Sequence, residues 1–237
     1  MIAWRLEVFE ELGSTSDYCV ARAKAGEPEG FAVLALKQTA GRGSRGRSWQ
    51  APVGNLNLSL VLRPVRPAAQ AGMFSLLAGI AVAETLAPFL GPLPMLKWPN
   101  DILLGGAKLA GILIDAAPVN QKLEWLVIGI GVNLRTAPEI PGRRTTSLAA
   151  HGVDLSPAKA AQAILARLSA WVEADANAIQ AAWLARAHPI GTALQVQTAH
   201  QTRSGSFAGL SDAGELLLQT ETRIEPISAG DVQLGLD

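Results

Sequence analysis

The stretch from 70 to 89, "QAGMFSLLAGIAVAETLAPF", constrains the fold more than any other. Its residues favour a helix, and apolar side chains fall on every side of that helix rather than on one stripe. A helix of this kind has to be covered all round. Its apolar run "MFSLLAGIAVA" is shorter than the roughly 18 residues that span a bilayer, so the cover is expected from the rest of the chain. With 237 residues, 49% of them apolar and 17% charged, the chain has the material for one large domain, or a large one and a small one.

Residues 2–9 read as a strand. "GSTSD" offers N-caps for a helix ending near Ala25, with Gly26 as the stop. "FAVLALK" (31–37) is a continuously apolar, buried strand, whereas "NLNLSLVL" (55–62) alternates and reads as a half-buried one. "PMLKWPNDILLGGAKLAGILID" reads as strand, turn, strand, Gly-Gly turn, strand. Residues 124–134 form another buried strand, and 135–147 read as a loop. The Ala-rich stretch 156–187 is helical, with Ser156 as N-cap and Pro157 at the first helical position. After Pro189 short strands alternate with polar turns, the pattern of a small β-barrel. The expected division is therefore 1–187 and 188–237.

The formal net charge is zero, so any attraction to nucleic acid or an anionic membrane must be local. Cys19 is the only cysteine, which rules out an intrachain disulfide and fits a reducing compartment. The N-terminus carries acids where a secretory signal has its apolar core, and a cytoplasmic protein is expected. His151, His188 and His200 are scattered and show no metal-ligand spacing, so no residue is assigned to a metal. Ser48 and Ser59 lack the surroundings of a serine hydrolase.

"QTAGRGSRGRSW" (38–49) nearly matches a phosphate-binding P-loop. Arg47 replaces the required lysine, however, and Pro52 and Gly54 argue against the helix that must follow. As an RNA patch it lacks interleaved aromatics. A solvated turn with incidental arginines stays open. Against it, three glycines and three arginines crowd into seven residues, where amides and guanidinium forks suit an anion. "GIGVNL" (129–134) fails as a dinucleotide fingerprint because Leu134 stands at the third glycine; glycines within a strand mark close approach instead. In "KWPNDI" (97–102), Lys97 and Asp101 also suit a plain surface ion pair. The Gly105-Gly106 turn brings Lys108 back toward Asp101, although a lysine heading an apolar strand also suits a solvated strand end.

Taken in order, "GSTSD", the G-R-G-x-x-G-R loop, "LKWPNDILLGGAKLAGILID" and "IGIGVNL" resemble the biotin–protein ligases, and the β-rich tail is similar to their C-terminal SH3-like barrel. The resemblance implies an α+β fold. Its mixed β-sheet with flanking helices is shared with class II aminoacyl-tRNA synthetases and lipoate ligases. It implies a two-step reaction as well: biotin and ATP with Mg2+ give biotinyl-5′-AMP, and a lysine of a biotin carboxyl carrier domain then takes the biotin. By resemblance Lys108 is the central cation, and Arg42, Arg45, Arg47 and Lys97 add positive charge that offsets repulsion between the reacting anions. Ser14, Thr15 and Gln38 match biotin-ring contacts. Gly41, Arg42 and Gly43 match the covering loop, and Gly111 a backbone contact to the ligand. Arg47, Trp49, Asn100, Asp101 and Asn133 match positions around nucleotide and metal. Asp101 is the candidate base for the carrier lysine.

One position departs from the family: Ser44 stands where a second arginine is usual, which predicts leakage of biotinyl-AMP unless Arg45 swings inward. Only 12 residues precede Gly13, so no operator DNA-binding domain is expected. A homodimer is compatible with the family. The C-terminal barrel is expected to help close the nucleotide site or dock the carrier. The rival readings are a lipoate or octanoate ligase of the same fold, which lacks the loop with K-W-P-N-D, and an inactive RNA-binding module.

Overall fold

In the computed structural model, which describes residues 2–50 and 52–234, the all-apolar helix is central. It is α2 (Ala71–Leu86), extended by a 3-10 turn at each end into a helical stretch Ala68–Phe89 of 22 residues. That stretch is longer than the apolar letters suggest, and by length and composition alone it matches a membrane span. Most of its surface lies within the protein instead. It packs against α3 (Pro157–Glu173), α4 (Ala176–Leu184) and one face of a seven-stranded sheet.

The strand order is β1 (Arg5–Phe9), β2 (Phe31–Ala35), β3 (Leu56–Leu62), β7 (Lys122–Val132), β6 (Ala107–Val119), β5 (Asp101–Leu104), β4 (Met95–Lys97). β1 and β2 are parallel, joined through α1 (Thr15–Lys24), and the other pairings are antiparallel. Alternation sorts the two faces. Ala32, Leu34, Leu58, Leu60, Ile128 and Ile130 point toward α2. Phe31, Val33, Val61 and Val127 point the other way and pack on Cys19 and Ala23 of α1. Helix α1 covers only part of that second face. Beyond its N-terminus the same face carries Asn57, Ser59, Gly129 and Gly131, and these floor a cavity.

Two expectations change. Every residue of β3 is buried, so its alternation does not mark a solvent face: the polar positions line the covered cavity. The 156–187 stretch is two helices. Ala174 and Asp175 adopt extended backbone (ψ 149° and 165°), and Asp175 caps α4 by accepting from Ala178 N at 2.8 Å. An aspartate gains more from capping than from continuing a helix.

The C-terminal unit contains β8 (Ala193–Gln197), β9 (Thr202–Leu210), β10 (Leu216–Gln219), β11 (Ile224–Ile227) and β12 (Asp231–Leu234). They form one antiparallel sheet in the order β11-β10-β9-β8-β12. It docks on the first unit around Trp98, whose indole donates to the Gly214 carbonyl at 3.0 Å. Leu194, Val196 and Phe207 continue the main core across this seam.

Candidate active site

One cross-strand row builds the floor. Register places Asn57 opposite Gly131, Gly131 opposite Gly111, Gly111 opposite Asp101, and Asp101 opposite Lys97. A second row runs Ser59, Gly129, Leu113. The glycines leave room that side chains from above occupy. A Cβ on Gly131 would lie 2.4 Å from the Trp49 ring, and one on Gly129 2.5 Å from Ser16 Oγ. The cavity above has a volume of about 440 Å³.

Lys108 reaches this face because of a β-bulge. The β5–β6 register slips between Ile102 and Leu103, so Leu109 and Ala110 both fall in the core and Lys108 turns over to the side of Gly111. Its ammonium donates to Asp101 Oδ1 and lies 5.7 Å from the centre of the Trp49 ring.

At one end of the cavity the groups are neutral and hydrogen-bonding. Thr15 donates from its backbone N (2.8 Å) and Oγ1 (3.0 Å) to Gln38 Oε1, and Ser59 Oγ donates to Thr15 Oγ1 at 2.8 Å. Gln38 Nε2 donates to Asn57 Oδ1 at 3.4 Å. The cover is the 41–49 loop, folded as a narrow hairpin with Arg42 bridged to Ser48 and Trp49 N donating to Gly41 O at 2.8 Å. Gly41 is required by that approach, since a Cβ there would lie 2.4 Å from Trp49 O. The other wall is the 135–147 segment, pinned beside Lys108 by Lys108 N donating to Arg144 O and Thr146 N to Lys108 O.

Of the residues marked in the sequence, Thr15, Gln38, Arg42, Gly43, Arg47, Trp49, Asn100, Lys108, Gly111 and Asn133 line this one cavity. Five do not. Ser14 caps α1, accepting from Asp17 N. Gly41 pairs with Trp49. Asp101 stands behind Lys108. Arg45 has left-handed backbone (φ 59°) and reaches outward to the Gln197 carbonyl at 3.5 Å. Lys97 lies in the seam beside Asp231. There burial, only partly offset by Asp101 and Asp231, pulls its ammonium below the ordinary lysine range. Arg42 lies at the rim, paired with Asp17 (2.7 Å) and Asp115 (2.9 Å), so its charge secures the loop.

The sequence reading missed Asn57 and Ser59, and Arg143 as well. The alternation of β3 signalled the first two once the face is known to be covered. Arg143 gave no signal in its loop. Two buried polar atoms of wall residues, Asn133 Oδ1 and Trp49 Nε1, have no hydrogen-bond partner among the described residues.

Comparison with known proteins bears on the family and the fold. Residues 9–133 match the Biotin/lipoate A/B protein ligase family and residues 190–235 the Biotin protein ligase C terminal domain. The chain is 37% identical to a biotin–[acetyl-CoA-carboxylase] ligase of Paracoccus denitrificans, over 86% of this chain and 90% of that protein. It is 36% identical to the Mycobacterium tuberculosis protein of the same name, over 97% and 89%. The structure of biotin protein ligase from Aquifex aeolicus in complex with biotin and ATP superposes with a TM-score of 0.81 at 27% identity, covering 98% of this chain and 99% of that one. Sequence and fold both place this chain in the biotin protein ligase family.

Proposed function

We propose that the protein joins biotin and ATP to give biotinyl-5′-AMP and pyrophosphate, then transfers the biotinyl group to a lysine of a biotin carboxyl carrier domain, as in acetyl-CoA carboxylase. The observation that carries this reading is a glycine floor joining two unlike ends. The neutral end, with Thr15, Gln38, Ser59 and Asn57, offers the donors and acceptors that a cyclic urea needs. The cationic end, with Lys108, Arg47 and Arg143, suits a carboxylate meeting a polyphosphate.

In the first step a biotin carboxylate oxygen attacks the α-phosphorus, and the bond to the bridging oxygen of pyrophosphate breaks. No proton has to move; the residues orient two anions and offset their repulsion. Lys108, held by Asp101 over Gly111, supplies the central charge. Trp49 covers the floor and excludes water. The buried acceptor Asn133 Oδ1 suits the exocyclic amine of adenine. In the second step the carrier amine attacks the acyl carbon, AMP leaves, and Asp101 takes the amine's proton.

Magnesium, when bound, neutralises phosphate charge. Such an ion needs only one or two protein oxygens besides phosphate and water, and the lining fits it: Asn100, whose side-chain nitrogen donates to the Ile112 carbonyl, would offer its amide oxygen. A cytoplasmic reaction fits this reading, since ATP is supplied there and a lone cysteine suits a reducing compartment.

The test is ATP–pyrophosphate exchange with biotin, lipoate or octanoate. Exchange that requires biotin is expected. Exchange driven by lipoate or octanoate instead would move the protein to the lipoyl branch of the family.

A further inference from the structure

Two arginines of the cavity wall reach the same carboxylate oxygen, and that oxygen belongs to the C-terminal sheet. Arg47, from the glycine-arginine loop, donates through Nη1 to Asp231 Oδ2 at 3.1 Å. Arg143, from the opposite wall, donates through Nη2 to the same atom at 2.5 Å. Asp231 opens β12 and does not itself line the cavity. Its cross-strand partner is Gln197, whose carbonyl receives Arg45. The loop is thus tied to one register position of the C-terminal sheet by two arginines.

The charges explain why a carboxylate is needed there. Arg47, Arg143 and Lys97 all act on Asp231, three cations around one anion. Burial alone would raise the Asp231 carboxyl, but Arg143, Arg47 and Lys97 outweigh it and hold the group below the usual carboxylate range, so it is charged. Two guanidiniums converging on one point repel unless an anion lies between them. The carboxylate draws them together and leaves the cluster with an excess of positive charge facing the cavity.

The donors are not exhausted. Arg47 uses Nε on the Ser44 carbonyl, one N–H of Nη2 on Ser44 Oγ and one of Nη1 on Asp231. A guanidinium has five N–H groups, so two remain. Arg143 likewise has N–H groups beyond the one given to Asp231. Binding to Asp231 and binding to a polyphosphate are therefore compatible: the carboxylate orients the arginines without occupying all of their donors.

We infer that Asp231 is a positioning residue, which ties Arg47 and Arg143 into a two-arginine clamp for the polyphosphate tail of the nucleotide. The inference rests on the nucleotide reading above. It makes the cavity incomplete without the C-terminal sheet, and it assigns Arg143 to the nucleotide rather than to the biotin end.

The experiment uses the whole protein and the Asp231→Asn variant, which keeps the shape and removes the charge. Michaelis constants for ATP and biotin are measured separately in biotin-dependent ATP–pyrophosphate exchange. The expected result is a rise of roughly tenfold in KM for ATP, with kcat and KM for biotin within about twofold of the parent and partial recovery in Asp231→Glu. An unchanged or lowered KM for ATP would overturn the inference; the lowered value would make Asp231 a competitor of phosphate. Equal losses toward ATP and biotin would also overturn it, since a loosened domain seam explains them. If Asp231→Asn does not fold, Arg143→Gln serves: it must show the same selectivity for ATP. No biotin-dependent exchange in the parent protein would instead count against the function itself.

Discussion

The Ser44 hydroxyl accepts from Arg47 Nη2 at 3.0 Å, and its carbonyl accepts from Arg47 Nε at 3.2 Å. The serine therefore steadies a neighbouring arginine where the family usually adds a second one. Arg45 does not make up the missing charge, because its left-handed backbone directs it to Gln197. On the proposed function, one cation fewer over the phosphate predicts a looser hold on biotinyl-AMP. Ser44→Arg is expected to slow the release of preformed biotinyl-AMP by about tenfold, the size of one charge-assisted hydrogen bond. A release rate equal to the parent's would discount this position. Asp101 calls for a separate measurement, because its one side-chain partner among the described residues is Lys108. As a base it matters in the second step. Asp101→Asn should slow transfer from isolated biotinyl-AMP to a carrier domain by 10²-fold or more. If that transfer runs at the parent rate, the proton goes elsewhere.

At the scale of elements, patterning made most of the fold legible. The all-apolar helix, the Gly105-Gly106 hairpin and the buried strand ending in "GIGVNL" follow from periodicity and turn chemistry. What stayed hidden depends on neighbours. Alternation in β3 states that two faces differ, but not that the polar one lies under a loop as the cavity floor. The bulge that aims Lys108 is a register slip, and one strand read alone cannot show a slip. Arg143 acquires its place only when its loop docks beside Lys108. The break in the 156–187 helix was within reach, because Asp175 is a capping residue lying in an Ala-rich run. Its cap is worth about 1 kcal/mol. Asp175→Ala should lower the thermal midpoint by roughly 2–4 °C and leave biotin-dependent exchange untouched, since α4 lies on the far side of the core from the cavity. Calorimetry beside the exchange assay checks both halves.

At the scale of the whole molecule, the seam between the two units carries the polar liabilities. Trp98 is buried there with its indole satisfied by the Gly214 carbonyl at 3.0 Å. His188, at the entry to the C-terminal unit, is 4% exposed and packs on the Phe207 ring with centroids 4.5 Å apart. Neither of its ring nitrogens has a partner among the described residues. Burial, reinforced by the positive charge of Lys97, lowers its imidazole from 6.5 to about 4. The folded state therefore favours neutral His188. The stability it contributes is fully present above pH 6.5 and is lost as pH falls from 6.5 toward 4, because the unfolded chain takes up the proton first. The gap corresponds to about 3 kcal/mol. Burying an unpartnered imidazole gains little even when neutral, so an apolar side chain of similar volume suits the site. His188→Leu should match the parent's stability within about 1 kcal/mol at pH 7.5 and exceed it by about 2 kcal/mol or more at pH 4.5. Urea unfolding at the two pH values measures this. Parallel losses in parent and variant would place the acid sensitivity in the carboxylates of the seam rather than in this histidine.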